Sequence, residues 1–225
     1  MDLFENDLFD NTPVPLVDGA VLLRSFVQKN NAALQNEAKL LSDLNLILAV
    51  SSLRNMTIPG GFSMSVAMTN CGALGWVSDK KGYRYSALDP TNNQPWQTMP
   101  ASFLVLAKQA ADAAGFANFV PDACLINQYK TGARMALHQD KDEQDFSQPI
   151  VSVSLGVSAT FLFGGIKRSD KPMKISLHHG DVVVWGGQSR LNYHGIMPLK
   201  ATNIQTNGHE AFGAYRYNLT FRKAG

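Results

Sequence analysis

Several features that would assign this chain to a common protein class are missing from its 225 residues. It has no uncharged apolar run approaching the roughly 18 residues that span a bilayer, and its acidic first residues lack the apolar core of a secretory signal. With only two cysteines, Cys71 and Cys124, it cannot build a disulfide framework. Together these absences predict a cytoplasmic protein with no membrane partner.

Motifs for nucleotide cofactors and for repeat architectures are also missing. No GxGxxG follows a strand-like segment and no P-loop is present, so nothing indicates a nucleotide cofactor. No repeat occurs at a solenoid period, and no tract has low complexity. The formal net charge of +2 neither requires nor excludes a nucleic-acid partner, because local patches of charge matter more than the balance.

The composition that remains, with 45% hydrophobic residues, predicts a folded protein with one large domain, or one domain with an appended lobe, and two helices are predicted in its first half. Apolar residues at steps of three and four predict an amphipathic helix over 31–54, capped by Asn30 or Asn31. Pro100 and Gly115 are typical of the start and the end of a second helix, over 101–114. Residues 1–19 are expected to form an irregular arm.

The chain after Pro121 is predicted to form short strands. Six β-rich runs separated by Gly-rich turns favour a β-sandwich or jelly roll. Because the helices precede the strands and do not alternate with them, a doubly wound fold is disfavoured. The segment between the helices, about 56–100, is expected to form a covering lobe of hairpins and loops. The strands are predicted at 124–129, 150–155, 160–163, 173–177, 181–185 and 214–221.

A histidine and an aspartate lie two residues apart in the strand-rich part. On an extended chain, His138 and Asp140 point to the same side and can hold one edge of a metal ion. A third ligand must come from elsewhere, and the candidates are His178, His179 and His194. His178 and His179 precede a turn and are expected at the surface. Two histidines and one carboxylate with open positions form the facial triad of non-haem Fe(II) oxygenases.

The last predicted strand places polar residues on one face, because alternate residues of a strand share a face. These residues are Arg216, Asn218, Thr220 and Arg222. One interpretation is a face in contact with water; the other is a clamp in which two guanidinium groups bind a dicarboxylate. An HxD pair, a distant histidine and then an arginine on a β-rich scaffold indicate an Fe(II)/2-oxoglutarate-dependent dioxygenase.

The sequence resembles the AlkB family of nucleic-acid dealkylating dioxygenases, and its bacterial members in particular. The resemblance runs from about Gly19 to the C-terminus, so it includes the covering lobe as well as the strand-rich part. The strings that carry it are 64–72 (MSVAMTNCG), 121–127 (PDACLIN), 137–143 (LHQDKDE), 181–187 (DVVVWGG), 193–195 (YHG) and 216–222 (RYNLTFR).

The resemblance implies an α+β, mainly β fold. Its core would be a double-stranded β-helix, or jelly roll, preceded by N-terminal helices and covered by a nucleotide-recognition lid. Residues 1–225 would form a single catalytic domain. Within that domain we expect the N-terminal arm and helix at about 1–55, the lid and its supporting helix at about 56–120, and the jelly-roll core for iron and 2-oxoglutarate at about 121–225.

The resemblance also implies the residues that hold Fe(II) and the cosubstrate. The implied iron ligands are His138, Asp140 and His194, which with Arg222 form the implied catalytic set. The residues implied to bind 2-oxoglutarate are Asn127, Tyr129, Arg216, Asn218 and Arg222. In that set Arg216 would pair with the distal carboxylate, helped by Asn127 and Tyr129, and Arg222 would anchor the keto-acid end.

A third implied set binds the substrate and consists of Met68, Trp76, Tyr83, Asp142 and Arg168. Trp76 would stack on the damaged base opposite His138, and Asp142 would face the exocyclic amine of that base. Tyr83 would contact the nucleotide backbone, Met68 would pack in the pocket, and Arg168 would lie at its rim.

This sequence departs from the bacterial members of the family at the edge of the lid. Bacterial members carry a threonine at the position of Ile58 and a tyrosine at that of Phe62, so this chain lacks two hydroxyl groups there. In the strand leading to His194, Asn192 replaces an aromatic residue. None of these departures falls on the implied iron or cosubstrate residues.

The implied reaction is oxidative demethylation of N-alkylated bases, such as 1-methyladenine and 3-methylcytosine, in DNA and by extension RNA. Formaldehyde would be released, while 2-oxoglutarate and O2 become succinate and CO2. The partner would be a nucleic acid presenting a single strand or a flipped base to a monomeric enzyme. The alternatives are the same oxidation on tRNA or a protein side chain, and a non-catalytic binder of alkylated nucleic acid, which would need no metal or cosubstrate residues.

Overall fold

The structure, a computed structural model, describes residues 12–29, 37–201 and 212–225, which form three α-helices and sixteen strands. The helices are α1 (Phe26–Lys29), α2 (Glu37–Val50) and α3 (Ala101–Ala113). The strands are β1 (Val14–Val17), β2 (Ala20–Leu23), β3 (Arg54–Thr57), β4 (Ser63–Gly72), β5 (Gly75–Asp79), β6 (Gly82–Ser86), β7 (Leu88–Asp89), β8 (Gln94–Pro95), β9 (Ala123–Tyr129), β10 (Met135–His138), β11 (Ile150–Gly156), β12 (Ala159–Phe163), β13 (Met173–Leu177), β14 (Val182–Trp185), β15 (His194–Ile196) and β16 (Arg216–Arg222). No helix in these described ranges is both long and apolar enough to cross a bilayer.

Two antiparallel sheets form the jelly roll predicted from the sequence. The large sheet has eight strands in the order β1-β2-β14-β11-β16-β9-β4-β3, and the small sheet has four in the order β10-β15-β12-β13. Every residue of β11 is buried, because this strand lies inside the large sheet with both of its faces covered. The fold is therefore α+β and mainly β, as expected.

The large sheet separates two apolar clusters, one on each of its faces. Alternate residues of a strand point to opposite faces, and β14 follows this rule. Val182 and Val184 belong to the cluster on the helical side, whereas Val183 and Trp185 belong to the cluster shared with the small sheet. A strand with an apolar face on each side is thus fixed in register by two cores at once.

The helical cluster packs α2 and α3 against the large sheet. It includes Leu40 and Leu44 of α2 and Phe103 of α3, and Phe103 meets Phe221 of β16 edge to face with ring centroids 5.9 Å apart. Full burial of one such side chain contributes about 1.5–3 kcal/mol. The helices therefore support β16 from behind, while its other face is directed toward the small sheet.

The predicted elements compare closely with the observed ones after residue 100. Helix α3 and the six strands predicted after Pro121 are confirmed within one or two residues. Helix α2 ends at Val50, earlier than predicted, and its predicted cap lies outside the described residues. The prediction of an irregular arm was wrong for Val14–Val17, which forms β1 at the edge of the large sheet. An edge strand tolerates Pro15 because one side of it is not hydrogen-bonded to a neighbour.

The segment over 56–100 supplies both a cover and part of the large sheet. Strands β5 and β6 pair only with each other, as do β7 and β8, and these hairpins match the expected covering lobe. Strand β4, in contrast, pairs with β9 along six positions and extends the large sheet. The cover is therefore joined directly to a strand next to the site.

Candidate active site

A cavity of about 650 Å³ is lined by residues of both sheets and of the β5–β6 hairpin. Every residue that the resemblance implies for iron, 2-oxoglutarate or substrate binding lines this one cavity, although these residues are distant in the chain. These residues are Met68, Trp76, Tyr83, Asn127, Tyr129, His138, Asp140, Asp142, Arg168, His194, Arg216, Asn218 and Arg222.

Two histidines and an aspartate converge in the cavity. Strand β10 ends with His138, β15 begins with His194, and the antiparallel pairing of these strands sets the two residues opposite each other. Asp140 follows two residues after His138. The Nε2 atom of His138 lies 3.5 Å from Asp140 Oδ1, and that of His194 lies 3.7 Å from Asp140 Oδ2. Their ligand atoms all lie within 4.8 Å of one another, a spacing that suits one metal ion.

The second nitrogen of each histidine is tied to the backbone. His138 Nδ1 lies 2.9 Å from the carbonyl oxygen of Ala136, and His194 Nδ1 lies 3.1 Å from that of Asn192. A carbonyl oxygen only accepts hydrogen bonds, so each Nδ1 carries a proton, and Nε2 is the nitrogen of each ring that faces Asp140 and can bind a metal. Burial, together with the charge of His138, lowers the pKa of His194 to about 4, which keeps this ring neutral.

Asp140 is held in its ionised form by an arginine. Burial alone raises the pKa of this carboxyl group, but the charge of Arg222 and the two histidines outweigh it, and the pKa stays well below its ordinary value. Arg222 donates to Asp140 Oδ2 from Nε at 3.0 Å and from Nη2 at 2.6 Å. The three predicted metal ligands therefore combine two imidazole rings with one ionised carboxylate.

A second buried carboxylate, Glu143, extends this ionic cluster, and sequence reasoning assigned no role to it. Tyr85 donates its hydroxyl hydrogen to Glu143 Oε1 at 2.7 Å, Arg190 Nη2 lies 3.1 Å from Oε2, and Arg222 Nε lies 3.3 Å from Oε1. Arg190 also donates to the carbonyl oxygens of Gln148 and Asp140. The loop after β10 is thus clamped to β6, to β16 and to the turn before β15.

Arg216 has buried donors without a partner in the described part of the chain. Its side chain is 1% exposed and its Nη2 donates to Ser154 Oγ at 3.1 Å, while Nε and Nη1 have no acceptor there. The guanidinium lies 5.0 Å from the ring centroid of Tyr129, its cross-strand neighbour. A buried cation is costly unless an anion pairs with it. These donors fit a carboxylate group.

Two amides extend the same strand pair. Asn127 lies opposite Asn218 in the β9–β16 pairing, and Asn127 Nδ2 donates to Asn218 Oδ1 at 3.2 Å. Asn218 in turn donates to Ser152 Oγ at 2.8 Å. The Oδ1 atom of Asn127 is buried without a donor in the described ranges. The register of two neighbouring strands therefore gathers Asn127, Tyr129, Arg216 and Asn218 on one face, as the alternation in sequence predicts.

The hairpin residues form the other wall of the cavity. The indole ring of Trp76 stacks on Tyr83, with ring centroids 5.7 Å apart and an angle of 13° between the planes. Trp76 Nε1 donates to Asp142 Oδ2 at 2.8 Å. Met68 is fully buried beneath them, and the Arg168 guanidinium lies 5.7 Å from the ring centroid of Tyr193. The structure adds the Trp76–Asp142 hydrogen bond, which the sequence did not predict.

The other two histidine candidates lie outside the cavity. His178 is exposed, as expected. The expectation of a surface position was wrong for His179, which is 7% exposed: its Nδ1 accepts the backbone N–H of Gly156 at 2.9 Å, and its Nε2 lies 2.9 Å from Glu37 Oε1. This histidine joins the strand ends to α2. Among the three candidates, geometry leaves only His194 beside the HxD pair.

Comparisons with known proteins agree with this geometry. The sequence profile of the 2OG-Fe(II) oxygenase superfamily matches residues 19–222. The alpha-ketoglutarate-dependent dioxygenase AlkB of Salmonella typhimurium is 55% identical over 97% of both chains. The nucleic acid dioxygenase ALKBH1 of Mus musculus is 36% identical over 55% of this chain and 31% of its own. The solved structure of OsALKBH1 covers 94% of this chain and 99% of its own, at 29% identity and a TM-score of 0.77.

Proposed function

Because the chain belongs to the 2OG-Fe(II) oxygenase superfamily, we propose that it oxidatively demethylates N-alkylated nucleobases. It is a dioxygenase that uses Fe(II), 2-oxoglutarate and O2. The observation that carries the substrate proposal is the cavity wall itself. The cavity that contains the two histidines is also lined by the indole ring of Trp76 and the carboxylate of Asp142, which suit a flat, cationic base such as 1-methyladenine or 3-methylcytosine.

In this proposal His138, Asp140 and His194 hold the iron. Their Nε2 atoms and carboxylate converge, their protons are already placed on the Nδ1 side, and a two-histidine, one-carboxylate set leaves positions open for a cosubstrate. When bound, the iron supplies, with 2-oxoglutarate and O2, the oxidising power that turns an N-methyl group into an N-hydroxymethyl group. The N-hydroxymethyl group then leaves as formaldehyde and a proton, and the ring nitrogen keeps the electron pair of the broken N–C bond.

The polar face of β16 binds 2-oxoglutarate in this proposal. The partnerless Nε and Nη1 of Arg216 would receive the distal carboxylate beside Tyr129 and Asn127, since a buried guanidinium fork matches a carboxylate. Asn218 supports Asn127 from the neighbouring position. Arg222, which donates to Asp140 Oδ2, would also contact the keto-acid end of 2-oxoglutarate. Its charge keeps the Asp140 carboxyl group ionised.

The hairpin wall binds the base in this proposal. Trp76 would stack on the ring, with Tyr83 supporting the far side of the indole and Met68 closing the pocket floor. Asp142 would exchange the indole N–H for the exocyclic amine of the base. Arg168 at the rim would meet a phosphate. A base inside a duplex cannot reach His138 and Asp140, so the substrate is a flipped or single-stranded nucleotide.

The proposal also extends to the assembly and the location of the enzyme. A monomer is the proposed working unit. Both cysteines are free thiols, which supports a reducing compartment such as the cytoplasm. DNA is the proposed partner, and RNA with the same methylated bases would fit the same wall.

The test is anaerobic reconstitution with Fe(II) and 2-oxoglutarate, followed by air and a short single strand carrying one 1-methyladenine. Mass spectrometry of the strand should show demethylation, with one succinate formed for each repaired base. His138→Ala should abolish both products, whereas His178→Ala, at an exposed histidine outside the cavity, should retain them. Succinate without repair would refute the nucleobase substrate, and a protein that binds Fe(II) but forms neither product would refute the catalytic function and favour a non-catalytic binder.

A further inference from the structure

Phe62 presents an aromatic ring to water at the mouth of the cavity. Its side chain is 75% exposed, more than any other large hydrophobic side chain in the described ranges, and it lines the same cavity as His138 and His194. A large apolar ring held in water forgoes about 1.5–3 kcal/mol of burial. An exposed apolar surface at the edge of a binding cavity is a candidate contact for the ligand that enters it.

The backbone carries this ring on a closed turn. Thr57 of β3 pairs with Ser63 of β4, and between them Ile58 N–H donates to Phe62 O at 2.9 Å. Gly61 N–H donates to Ile58 O at 2.8 Å, and Gly61 adopts φ of +86°, which glycine tolerates best. The position of Phe62 is therefore organised before any ligand arrives, which lowers the entropic cost of a contact there.

The chemistry of this edge selects the part of a nucleotide that it can contact. Ile58 and Phe62 offer no hydroxyl group to a phosphate, but a phenyl ring can stack on any nucleobase. Arg134 lies at the same mouth with an exposed side chain, and its backbone is held by Ser65, whose Oγ accepts Arg134 N–H and donates to Arg134 O, both at 3.0 Å. The lining of this cavity thus includes a ring that suits a base and an arginine that suits a phosphate.

We propose that Phe62 is a stacking platform for the unflipped base next to the lesion in the same strand. When a damaged base leaves the stack for the cavity, its neighbour loses one stacking face, and Phe62 would cover that face. The enzyme would then recognise at least a dinucleotide through a base that it does not modify. This inference rests on the proposed function, because it needs a nucleic-acid strand at the cavity.

The experiment uses three pentanucleotides, each with a central 1-methyladenine and a fluorescent label. One is intact, one has an abasic site on the 5′ side of the lesion, and one has an abasic site on the 3′ side. All three carry the same number of phosphate groups, because an abasic site lacks only the base. Affinity is measured by anisotropy with Fe(II) and 2-oxoglutarate bound under anaerobic conditions, and demethylation is followed after air is admitted. One of the two abasic strands should bind the native enzyme roughly tenfold more weakly than the intact strand does. A loss of that size is within the range of affinity that stacking one base on an aromatic ring contributes.

Two substitutions separate stacking from simple apolarity. Phe62→Leu should bind the intact strand as weakly as the native enzyme binds that abasic strand, and should no longer distinguish the two. Phe62→Tyr keeps the ring and should keep the native pattern. Leu46→Ala, at a 64% exposed position on α2, is the surface control and should behave as native.

The outcomes distinguish this inference from the function on which it rests. Demethylation with equal affinity for all three strands would overturn the platform and leave the demethylase intact. Discrimination among the strands without demethylation would support the platform and refute the proposed reaction. A Phe62→Leu variant that still discriminates would also overturn the inference, since the neighbouring base would then be read elsewhere.

Discussion

Arg222 and His194 share one oxygen atom of Asp140. Oδ2 of this carboxylate accepts the Nη2 hydrogen of Arg222 at 2.6 Å and lies 3.7 Å from Nε2 of His194, while Oδ1 faces His138. The arginine that sequence reasoning assigned to the cosubstrate therefore also orients a predicted metal ligand. Loss of this arginine should impair metal binding as well as cosubstrate binding.

Replacing Arg222 by glutamine should lower activity and the affinity for the metal together. Partners that orient metal ligands cost about 10–100-fold in affinity or activity when they are removed. Titration with Co(II), followed by its visible absorption, measures the metal affinity without turnover, and succinate formation measures the activity. Arg84→Gln, at a surface pair with Asp79, should leave both unchanged. Undiminished Co(II) affinity in the Arg222 variant would assign this arginine to the cosubstrate alone.

Replacing Arg216 by methionine should weaken 2-oxoglutarate binding without destabilising the protein. The buried guanidinium has two donors without acceptors, so its removal relieves an uncompensated charge. The KM for 2-oxoglutarate should rise at least about tenfold, the value of one lost hydrogen bond to a charged group, while the free energy of unfolding without cosubstrate stays equal or rises. A marked loss of stability at native KM would contradict this assignment.

The Glu143–Arg190 pair should matter chiefly for stability. Both side chains are buried, so Arg190→Met would leave a buried carboxylate with one partner fewer, a change that typically costs about 3–5 kcal/mol. Urea unfolding measures this loss. The matched control is Arg84→Met, which removes an exposed pair worth less than about 1 kcal/mol. Equal losses in the two variants would mean that burial of the Glu143 pair has no energetic consequence.

Gly75 should not tolerate a larger side chain. An added Cβ would lie 2.3 Å from Trp96 Cε2, and the Trp96 ring is held by a hydrogen bond from Nε1 to Ser86 O. Gly75→Ala should therefore cost about 1–3 kcal/mol through overpacking, measured by thermal unfolding. Gly60→Ala is the control, because a Cβ there meets only a Phe62 atom at 3.8 Å. A native-like Gly75→Ala protein would show that Trp96 moves freely.

Asp43 should make part of the stability dependent on pH. Burial raises the pKa of this carboxyl group, but hydrogen bonds from Lys39 and Ser102 lower it more, so the folded pKa is below the unfolded one. Its contribution is therefore complete above about pH 4 and disappears as the pH falls through the folded pKa. Asp43→Asn should be less stable than native at pH 7, and the difference should shrink under acid. For Leu46→Ala, on the same helix, the difference from native should not depend on pH.

Local patterns were sufficient to predict helix α3 and six of the eight strands described after residue 100, but they missed the short strands β10 and β15. The buried strands are short apolar runs between turn residues, and α3 has Pro100 at its start and Gly115 after its end. The HxD pair predicted two ligands because neighbouring residues in an extended chain have fixed geometry. Spacing alone left His178, His179 and His194 open, and only the resemblance implied His194; the pairing of β10 with β15, a contact between distant segments, sets it opposite His138.

The parts that sequence reasoning missed depend on contacts across the fold. Glu143 sits in an acidic stretch that looks exposed in sequence, yet Tyr85, Arg190 and Arg222 converge on it from three other segments. The Trp76–Asp142 hydrogen bond likewise joins the hairpin to the loop after β10. Charge and polarity alone indicate solvent, and only the tertiary arrangement turns such residues into buried partners.

The unequal support of the two cavity walls has a consequence for how a long polymer enters. Strand β16 is hydrogen-bonded to β9 and β11 on its two sides, whereas β5 and β6 are paired only with each other. Local opening free energies follow such differences in support. Amide hydrogens of the hairpin should therefore exchange with solvent before those of β16, so the wall that would meet a long polymer is the more easily deformed one, while the wall with the predicted iron and 2-oxoglutarate residues is the more rigid.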